Sequence, residues 1–404
     1  MNILFHNCYD IKVFYLNMKL LYYTHTYFLD CDLPLVEQLI NKGVDVKLVI
    51  DLPYYQLKST MVNISSQIPK TDLMNASAYS ELAFISHYIS LDNVFVLNRT
   101  CKIYHTANYL MRYKFWKLIK KYNPDIIQCT DFVDLSDSFL YKYRNKLLQI
   151  VHDPFPHSGE KTFKKRLLRS LEYKLVKNFL LLNTRQIEQF VSENKLDSSY
   201  IHQASLGVYT CLQEFKNDKD ITGIDNYVLF FGRISLYKGV EYLIKAMEKL
   251  HKDNLQVNLV IAGGGELYFE DLLKDKSYIK VINRFLTMNE LYSLIKNCKI
   301  VVCPYVDATQ SGVIMSAYAL GKVVIGTDVG GLPQMLGYGE YGPVVPPRDS
   351  NALANVIQSI LSNSKELYKY ESKIKEASLA GCFSWHSIAD RYIGIYKKIK
   401  NDFI

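Results

Sequence analysis

Residues 227–239 read YVLFFGRISLYKG, and this stretch indicates the fold class. Five apolar residues end at Gly232, and two cations, Arg233 and Lys238, then stand between that glycine and Gly239. An apolar run that stops at a glycine and opens into a helix is typical of a β-strand followed by a tight loop. Such βα units pack side by side into parallel sheets covered by helices. We therefore expect an α/β protein.

Short apolar runs alternate with helix-length segments in both directions from this stretch. The first helix is expected to begin near Asp32–Pro34, with Asp32 as its N-cap, and to stop at Gly43. A polar segment at residues 216–226 (KNDKDITGIDN) separates two series of predicted strands and reads as a linker. The predicted strands lie at residues 19–25, 46–50, 125–130, 147–152 and 179–182, and then at 227–231, 256–262, 278–282, 299–303 and 322–326.

The chain length of 404 residues also favours more than one hydrophobic core. We predict two Rossmann-like domains, the first at residues 1–205 with 1–17 as an extension, and the second at 206–382. Residues 383–404 are expected to form a terminal helix. Open α/β sheets bind ligands at the carboxyl ends of their strands, so the loops at those ends carry most of the functional information.

The charged residues are distributed unevenly. Lys and Arg total 48 against 40 Asp and Glu, and the segment Lys161–Lys177 alone carries seven basic residues and one acid. As a helix it would place Phe163, Leu167, Leu171 and Leu175 on one face, which suits an anionic membrane surface or, alternatively, simple packing on the sheet. Nucleic-acid binding is not expected, because the segment lacks interleaved exposed aromatic residues and no reader motif is present.

The cysteines and the apolar runs indicate the cellular compartment in which the protein resides. Eight cysteines are scattered without metal-ligand spacing, which fits reduced thiols rather than a disulfide framework. No apolar run approaches the roughly 18 to 20 residues that span a bilayer, and Asp10 and Lys12 interrupt any signal-peptide core. We predict a cytoplasmic protein that sits peripherally at the inner face of the plasma membrane, with Lys161–Lys177 as the candidate contact.

Four strand-end loops of the second half have an unusual composition. Arg233 and Lys238, bracketed by glycines, suit a diphosphate, because arginine grips oxygens bidentately and lysine adds a point charge; two solvated loop cations are the alternative. The other three loops are Gly263–Glu266 (GGGE), Asp307–Val313 (DATQSGV) and Thr327–Pro333 (TDVGGLP). Each has an ordinary explanation by itself, such as a tight turn or N-capping by Thr309 or Ser311. Four loops on one sheet edge together predict a pocket for a nucleotide or sugar diphosphate.

With these motifs identified, residues 227–400 resemble the family-four, or group 1, glycosyltransferases of the glycosyltransferase-B fold. The pattern GR-x4-KG at 232–239 resembles the family's diphosphate clamp, and IAGGGEL at 261–267 with V-x-x-x-FL at 281–286 resembles its glycine turn and base-side loop. AYALGKVVIGTDVGGLPQ at 317–334 is similar to the family's donor-loop region. In the first half, His152-Asp153-Pro154 resembles the histidine loop where donor sugar and acceptor meet.

The resemblance implies two Rossmann-like domains facing across a cleft, with the helix after Phe383-Ser384-Trp385 crossing back to the first domain. It also implies transfer with retention of anomeric configuration, in which the leaving phosphate oxygen helps to deprotonate the acceptor. The expected catalytic residues are His152, Arg233 and Lys238, with no metal and no cofactor. The expected donor-binding residues are Gly232, Gly264, Glu266, Arg284, Phe285, Leu286, Asp307, Thr309, Gln310, Ser311, Gly312, Val313 and Ser316.

The sequence departs from the family pattern at several places. Ala308 and Ser316 occupy the positions of two customary glutamates, the second of which ordinarily holds the ribose, and Gln334 stands where a glutamate is common. The amino-terminal glycine-rich loop is replaced by residues 24–30 (THTYFLD). These changes put the ribose contact and the acceptor side in question.

The predicted function is transfer of a sugar from a UDP- or GDP-linked donor to a glycan or lipid-linked acceptor in surface polysaccharide biosynthesis. Two alternatives are a nucleotide-sugar epimerase of the same fold and a non-catalytic nucleotide-sugar-binding protein. An epimerase needs carboxylates at the sugar carbon, and none is evident in the sequence. A binding protein is suggested by the missing glutamates.

Overall fold

The computed structural model describes residues 18–131, 135–155, 169–170, 172–216 and 220–402. Within these ranges the chain forms two sheets. The first has the order β3-β4-β2-β1-β5-β6-β7-β8 and is parallel except for the antiparallel pair β3–β4. Its strands are β1 Met18–His25, β2 Val44–Pro53, β3 Asp72–Asn75, β4 Val94–Arg99, β5 Ile126–Thr130, β6 Leu147–Val151, β7 Asn178–Leu181 and β8 Ile201–Gln203.

The second sheet is parallel throughout, in the order β11-β10-β9-β12-β13-β14. It contains every strand predicted for the second half, together with one short edge strand at its end. The central strands are buried apolar runs, as expected for a sheet covered on both faces. Its strands are β9 Tyr227–Phe231, β10 Asn258–Ala262, β11 Ile279–Ile282, β12 Ile300–Cys303, β13 Val324–Thr327 and β14 Val344–Val345.

Helices connect the strands and cover the sheets. The helix α4, Val240–Lys252, shows why such segments are helical: Leu243, Ile244, Met247 and Leu250 recur on one face and are buried, while the other face is polar. The helices are α1 Leu29–Asn41, α2 Thr106–Tyr122, α3 Ile187–Asn194, α4 Val240–Lys252, α5 Met288–Asn297, α6 Gly312–Ala319, α7 Leu332–Met335, α8 Ser350–Ser362, α9 Ser364–Leu379 and α10 Trp385–Asn401.

The last helix, α10, returns to the first sheet. The Trp385 indole donates to the carbonyl oxygen of Val208 at 2.6 Å, the Tyr396 hydroxyl donates to the Gln128 side chain, and Lys400 pairs with Asp125 at 2.8 Å. The fold class predicted from the sequence is therefore confirmed: an α/β chain with two Rossmann-like parallel sheets and a terminal helix that crosses back.

The predicted start of the first helix is wrong. α1 begins at Leu29, three residues before Asp32, so that Asp32 lies inside the helix and does not cap it. The reason is that Asp32 is buried and its carboxylate accepts hydrogen bonds from the Tyr22 and Thr24 hydroxyls of β1. A side chain committed to a strand in this way cannot serve the free amides of a helix start.

Most of the predicted membrane segment, Lys161–Lys177, lies outside the described residues. At its described end, residues 172–175 are helical, and Tyr173 and Val176 are buried against the first sheet while Leu175 is exposed. The membrane interpretation of this segment stays a prediction. Separately, none of the helices in the described part of the chain is both long and apolar enough to cross a membrane.

Candidate functional site

The strand-end loops of the second sheet meet at one edge because β9, β10, β12 and β13 run parallel. The loop after β9 and the glycine turn after β10 touch backbone to backbone. Gly263 and Gly265 have φ of +143° and +159°, and a Cβ on either would overlap a carbonyl oxygen of the first loop. In addition, the Ile234 amide donates to the Gly264 carbonyl oxygen at 3.0 Å. Only glycine allows this approach.

The loops after β12 and β13 are packed in the same manner. A Cβ on Gly330, whose φ is +49°, would overlap the carbonyl oxygen of Ala308, and one on Gly331 would lie 2.5 Å from that of Thr309. The two pairs of loops are joined to each other where the Val306 amide donates to the Tyr237 carbonyl oxygen at 2.9 Å. The four loops predicted to converge therefore form one continuous surface of backbone.

Lys238 stands at the centre of this surface. Its ammonium lies 3.6 Å from the centroid of the Tyr305 ring, a cation–π contact. Burial lowers the pKa of Lys238 to about 8, the charge of Asp153 opposes that effect, and the charge of Arg233 adds to it. Arg233 is exposed in the same loop and close enough to interact with Lys238 electrostatically. At neutral pH the two side chains form a pair of cations at the sheet edge.

The start of α6 faces the same edge. Ser311 occupies the N-cap position, yet its side chain makes no capping hydrogen bond; its hydroxyl lies 3.2 Å from that of Tyr305. Thr309 does not cap the helix either, because its hydroxyl donates to the Asp153 carboxylate. The alternative reading of these residues as simple N-caps is therefore wrong. Gly312 opens the helix against a tyrosine: a Cβ there would lie 2.9 Å from the Tyr209 hydroxyl oxygen.

His152 follows β6 of the first sheet and meets the α6 loop of the second. The Gln310 amide nitrogen lies 3.1 Å from His152 Nδ1 and donates to the His152 carbonyl oxygen, also at 3.1 Å. Phe28 stacks on the imidazole with ring centroids 4.3 Å apart. Burial lowers the pKa of His152 to about 4, against the opposing charge of Asp153. The imidazole is therefore neutral at physiological pH.

The structure places the remaining predicted donor residues in two groups. One group borders the cations: a Cβ on Gly232 would lie 3.4 Å from Val313, Asp307 is partly buried in the α6 loop, and Ser316 is buried one turn into α6. The other group forms the rim near the glycine turn. There Gly264 lies against the backbone of Arg284 and Phe285, Glu266 and Phe285 are exposed, and Leu286 packs on the core.

Arg284 is held by a neighbouring carboxylate. Its guanidinium forms two contacts with Glu290, at 2.6 and 3.0 Å, and the same Glu290 closes a capping box with Thr287 at the start of α5. The charge of Arg284 is thus partly committed to stabilising α5. A Thr-x-x-Glu spacing is a readable capping signal in the sequence, and it was not used in the prediction.

Sequence reasoning missed the loop after β7. The Asn183 amide donates to the Thr309 carbonyl oxygen at 3.3 Å, Thr184 donates twice to Gln334 at 2.8 Å, and Arg185 pairs with Asp328 at 2.9 Å. These contacts join the first sheet to the loops that follow β12 and β13 in the second sheet. The polar run Asn-Thr-Arg after a buried strand was the available signal.

The carboxyl edge of the first sheet carries a buried ionic group that also escaped prediction. Asp51, at the end of β2, contacts His25 Nδ1 at 3.3 Å and the Arg99 guanidinium. Burial alone would lower the pKa of His25, but the hydrogen bond and charge of Asp51 outweigh it, so that the net shift is upward. His25 lies within residues 24–30, the segment in which the sequence departs from the resemblance.

Comparisons with known proteins agree with this geometry. The family model described as glycosyl transferases group 1 matches residues 213–378. An uncharacterized glycosyltransferase of Methanocaldococcus jannaschii is 29% identical over 187 residues, covering 45% of this chain and 47% of the relative. The alpha-D-kanosaminyltransferase of Streptomyces kanamyceticus is 24% identical over 282 residues, covering 65% of this chain and 69% of the relative. The first of these matches thus spans about half the length of the relative.

Solved structures share the fold over nearly the whole chain. A glycosyltransferase of Rickettsia africae superposes with a TM-score of 0.64 at 18% identity, covering 95% of this chain and 99% of that one. The Anabaena HepE protein in complex with UDP and glucose superposes with a TM-score of 0.63 at 15% identity, covering 95% and 100%. Residues 213–378 thus match the group 1 glycosyl transferase family model, and the fold of the chain is glycosyltransferase-B.

Proposed function

We propose that this protein transfers a sugar from a UDP- or GDP-linked donor to a glycan or lipid-linked acceptor, with retention of configuration and without a metal. The reaction would take place on the cytoplasmic side of the membrane, in surface polysaccharide biosynthesis. The single observation that carries the proposal is the position of Lys238 and Arg233, two cations on a glycine-lined backbone surface directly beside the His152–Gln310 contact.

The cations would neutralise the charge that develops as the nucleoside diphosphate leaves. Lys238 is held against Tyr305 and loses part of its hydration, so its contact with a diphosphate oxygen is stronger than in open water. Arg233 can grip a second oxygen bidentately. Within the described ranges, no three His, Cys, Asp or Glu side chains are grouped to hold a metal ion. We assign the neutralising role to Arg233 and Lys238 because both cations lie on the strand-end surface and residues 232–239 resemble the family's diphosphate clamp.

His152 would orient the transferred sugar. The His152 carbonyl oxygen can only accept a hydrogen bond, so the Gln310 side chain must turn its amide nitrogen toward it. The same nitrogen, which is a donor, also faces His152 Nδ1, so Nδ1 accepts and carries no proton. The proton of the neutral imidazole then lies on Nε2, where it can donate to a sugar hydroxyl. In the retaining route that the family resemblance implies, the acceptor proton leaves with the diphosphate oxygen, and the resemblance of residues 232–239 to the family clamp supports this assignment.

The ligands bound to the structural neighbours indicate which donors to test first. Anabaena HepE was solved with UDP and glucose and with UDP-glucose. We therefore expect a UDP-linked hexose to be a good first donor. The purified chain would be incubated with UDP- and GDP-sugars, with and without an acceptor fraction of membrane lipids and glycans. Release of nucleoside diphosphate and labelled product would be measured.

The outcomes separate the three functions. Acceptor-dependent release of nucleoside diphosphate supports transfer, and the anomeric proton of the product reports retention. Conversion of a nucleotide sugar to its epimer with no acceptor present would replace transfer by epimerisation. Nucleotide-sugar binding without turnover for any donor and acceptor combination would favour the non-catalytic binding protein.

A further inference from the structure

The outward face of α2 carries an unusual concentration of exposed apolar side chains. Fourteen large apolar side chains are exposed in the described part of the chain, and five of them lie between residues 103 and 113. Tyr109 and Leu110 are 63% and 67% exposed, respectively. These five side chains, Trp116 and three neighbouring lysines form what we call the α2 outer face. Its members are Ile103, Tyr104, Tyr109, Leu110, Tyr113, Trp116, Lys117, Lys120 and Lys121.

The opposite side of α2 is fixed to the first sheet. Met111, Phe115 and Ile119 are buried at a spacing of four residues, and Arg112 pairs with the buried Asp137 at 3.4 Å. A helix already anchored in this way does not need its outer face for the stability of the domain. Patches of exposed apolar residues on an otherwise ordinary protein surface mark contact sites.

Lysines and aromatic rings are interleaved on the outer face. Tyr113 and Trp116 stack with ring centroids 5.8 Å apart, and the Lys117 and Lys120 ammonium groups lie 4.5 and 4.3 Å from the centroids of those two rings, respectively. A lysine that lies along an aromatic side chain buries its stem and keeps its charge at the same depth as the ring. Tyrosine, tryptophan and lysine in this arrangement suit the headgroup level of a membrane.

The charge of the helix is complementary to an anionic surface. Residues 106–122 contain five basic residues and no Asp or Glu. Arg112 is used by Asp137, and Lys114 pairs with Asp72 at 2.5 Å. Lys117, Lys120 and Lys121 are exposed on the outer face. A cationic and aromatic helix face of this kind lies flat on anionic lipid.

We propose that the α2 outer face docks this protein on an anionic lipid membrane. The aliphatic side chains Ile103 and Leu110 favour lipid over single-stranded nucleic acid, because base stacking uses aromatic and guanidinium planes and gains little from aliphatic groups. The contact is separate from the Lys161–Lys177 segment considered above.

The position of α2 gives the docking a direction. The loop at residues 100–105, which includes Ile103 and Tyr104, leaves the carboxyl end of β4 at Arg99, and Arg99 contacts Asp51 beside His25. Docking would therefore bring the loop at the carboxyl end of β4, together with the lysine end of α2, close to the lipid headgroups. If the proposed function is correct, a lipid-linked acceptor reaches the cleft from this side; the docking itself does not rest on that function.

The test is cosedimentation of the full chain with vesicles of phosphatidylcholine and phosphatidylglycerol, and with vesicles of phosphatidylcholine alone. Wild type should bind only the anionic vesicles. Reversal of Lys117, Lys120 and Lys121 to Glu should weaken binding by at least about a hundredfold. The triple change Tyr109→Ser, Leu110→Ser and Tyr113→Ser should weaken it by about tenfold or more.

The control variants carry their substitutions in α9. Lys365, Lys369 and Lys375 are exposed, so their reversal to Glu makes the same change in net charge. The pair Tyr368→Ser and Leu379→Ser removes apolar side chains that are 72% and 69% exposed. These variants should bind like wild type. Unchanged melting temperatures and unchanged UDP or GDP binding would show that every variant is folded.

Several results would overturn the proposal: no binding of wild type to anionic vesicles, binding to a single-stranded RNA oligonucleotide in place of vesicles, or equal losses in the α9 controls. Loss of binding only when Lys164, Lys165, Arg166 and Arg169 are changed to Gln would assign the contact to residues 161–177 instead. Because no donor or acceptor is present, a failure of sugar transfer does not affect the result.

Discussion

The Gln310 amide nitrogen lies 3.1 Å from His152 Nδ1 and 3.1 Å from the His152 carbonyl oxygen, so that one side chain of the α6 loop fixes both the backbone and the tautomer of the histidine across from it. The other end of this amide, Oε1, is buried and has no hydrogen-bond partner. A buried acceptor without a partner is costly.

Replacement of Gln310 by Glu should therefore impair transfer more than replacement by Met. A carboxylate would oppose the His152 carbonyl oxygen and favour a proton on Nδ1, which is the wrong tautomer for donation from Nε2. We expect a loss in kcat of about a hundredfold for Gln310→Glu and about tenfold for Gln310→Met. The tautomer is measured directly by the nitrogen chemical shifts of His152. A wild-type imidazole protonated on Nδ1 would contradict this account.

Removal of either cation should slow transfer strongly. Arg233→Ala and Lys238→Ala each remove a charge-assisted contact that strengthens as the diphosphate leaves, at a cost of about 2 to 4 kcal/mol in the transition state. That corresponds to roughly thirtyfold to nine-hundredfold in kcat/KM. Lys245→Ala is the matched control, because Lys245 is an exposed lysine of α4 outside the strand-end loops. Wild-type turnover in both single variants would remove these residues from the mechanism.

Donor binding should weaken as the pH rises through about 8. Lys238 is charged below its pKa, which burial has lowered from 10.5 to about 8, so the free protein loses this cation in the alkaline range. Above that pH, the Kd for UDP or GDP should rise by up to about tenfold per pH unit. In Lys238→Arg the charge persists, and the Kd should stay flat across the same window. His152, with a pKa of about 4, contributes no change above pH 6.

Much of the fold was readable because the second half is built from long apolar runs broken by glycine. β9, β10 and β12 are almost entirely buried, and their carboxyl ends at residues 231, 262 and 303 match the prediction, whereas β10 starts two residues and β12 one residue later than predicted. In the first half, β3, β4 and β8 were missed. β3 has only four residues and exists because it pairs antiparallel with β4, which is a tertiary relationship that local sequence does not encode.

The part of the candidate site that lies within the second sheet could be predicted from the sequence, and the part formed between the two sheets could not. The convergence of the loops around Lys238 follows from parallel topology alone. The contacts of Thr309 with Asp153 and of Asn183 with the Thr309 backbone join two separate sheets, so they depend on how the two halves are oriented. No periodicity or spacing in the sequence reports that orientation.

Transfer should not require a metal ion. If the charge of the leaving diphosphate is neutralised by Arg233 and Lys238, excess chelator should leave the rate within about twofold of its value in buffer. The assay is initial-rate transfer before and after dialysis against chelator. Loss of activity that magnesium or manganese restores would show that a divalent ion takes part, and Arg233→Ala would then be expected to retain more activity than predicted above.

Gly330 should tolerate substitution much less than Gly223. Both residues have a positive φ, +49° and +67°, so alanine at either position is strained by about 1 to 2 kcal/mol. At Gly223 nothing lies within 4 Å of an added Cβ, whereas at Gly330 the Cβ would overlap the Ala308 carbonyl oxygen.

Gly223→Ala should therefore lower the free energy of unfolding by only the strain of its backbone, and it should leave UDP or GDP binding unchanged. Gly330→Ala must move the Ala308–Thr309 backbone, so it should cost about 3 kcal/mol or more and weaken nucleotide binding together with stability. Denaturant unfolding and calorimetric titration measure the two effects. If the two variants lost equal stability, the contact of Gly330 with the Ala308 carbonyl oxygen would not be the reason that alanine is disfavoured at position 330.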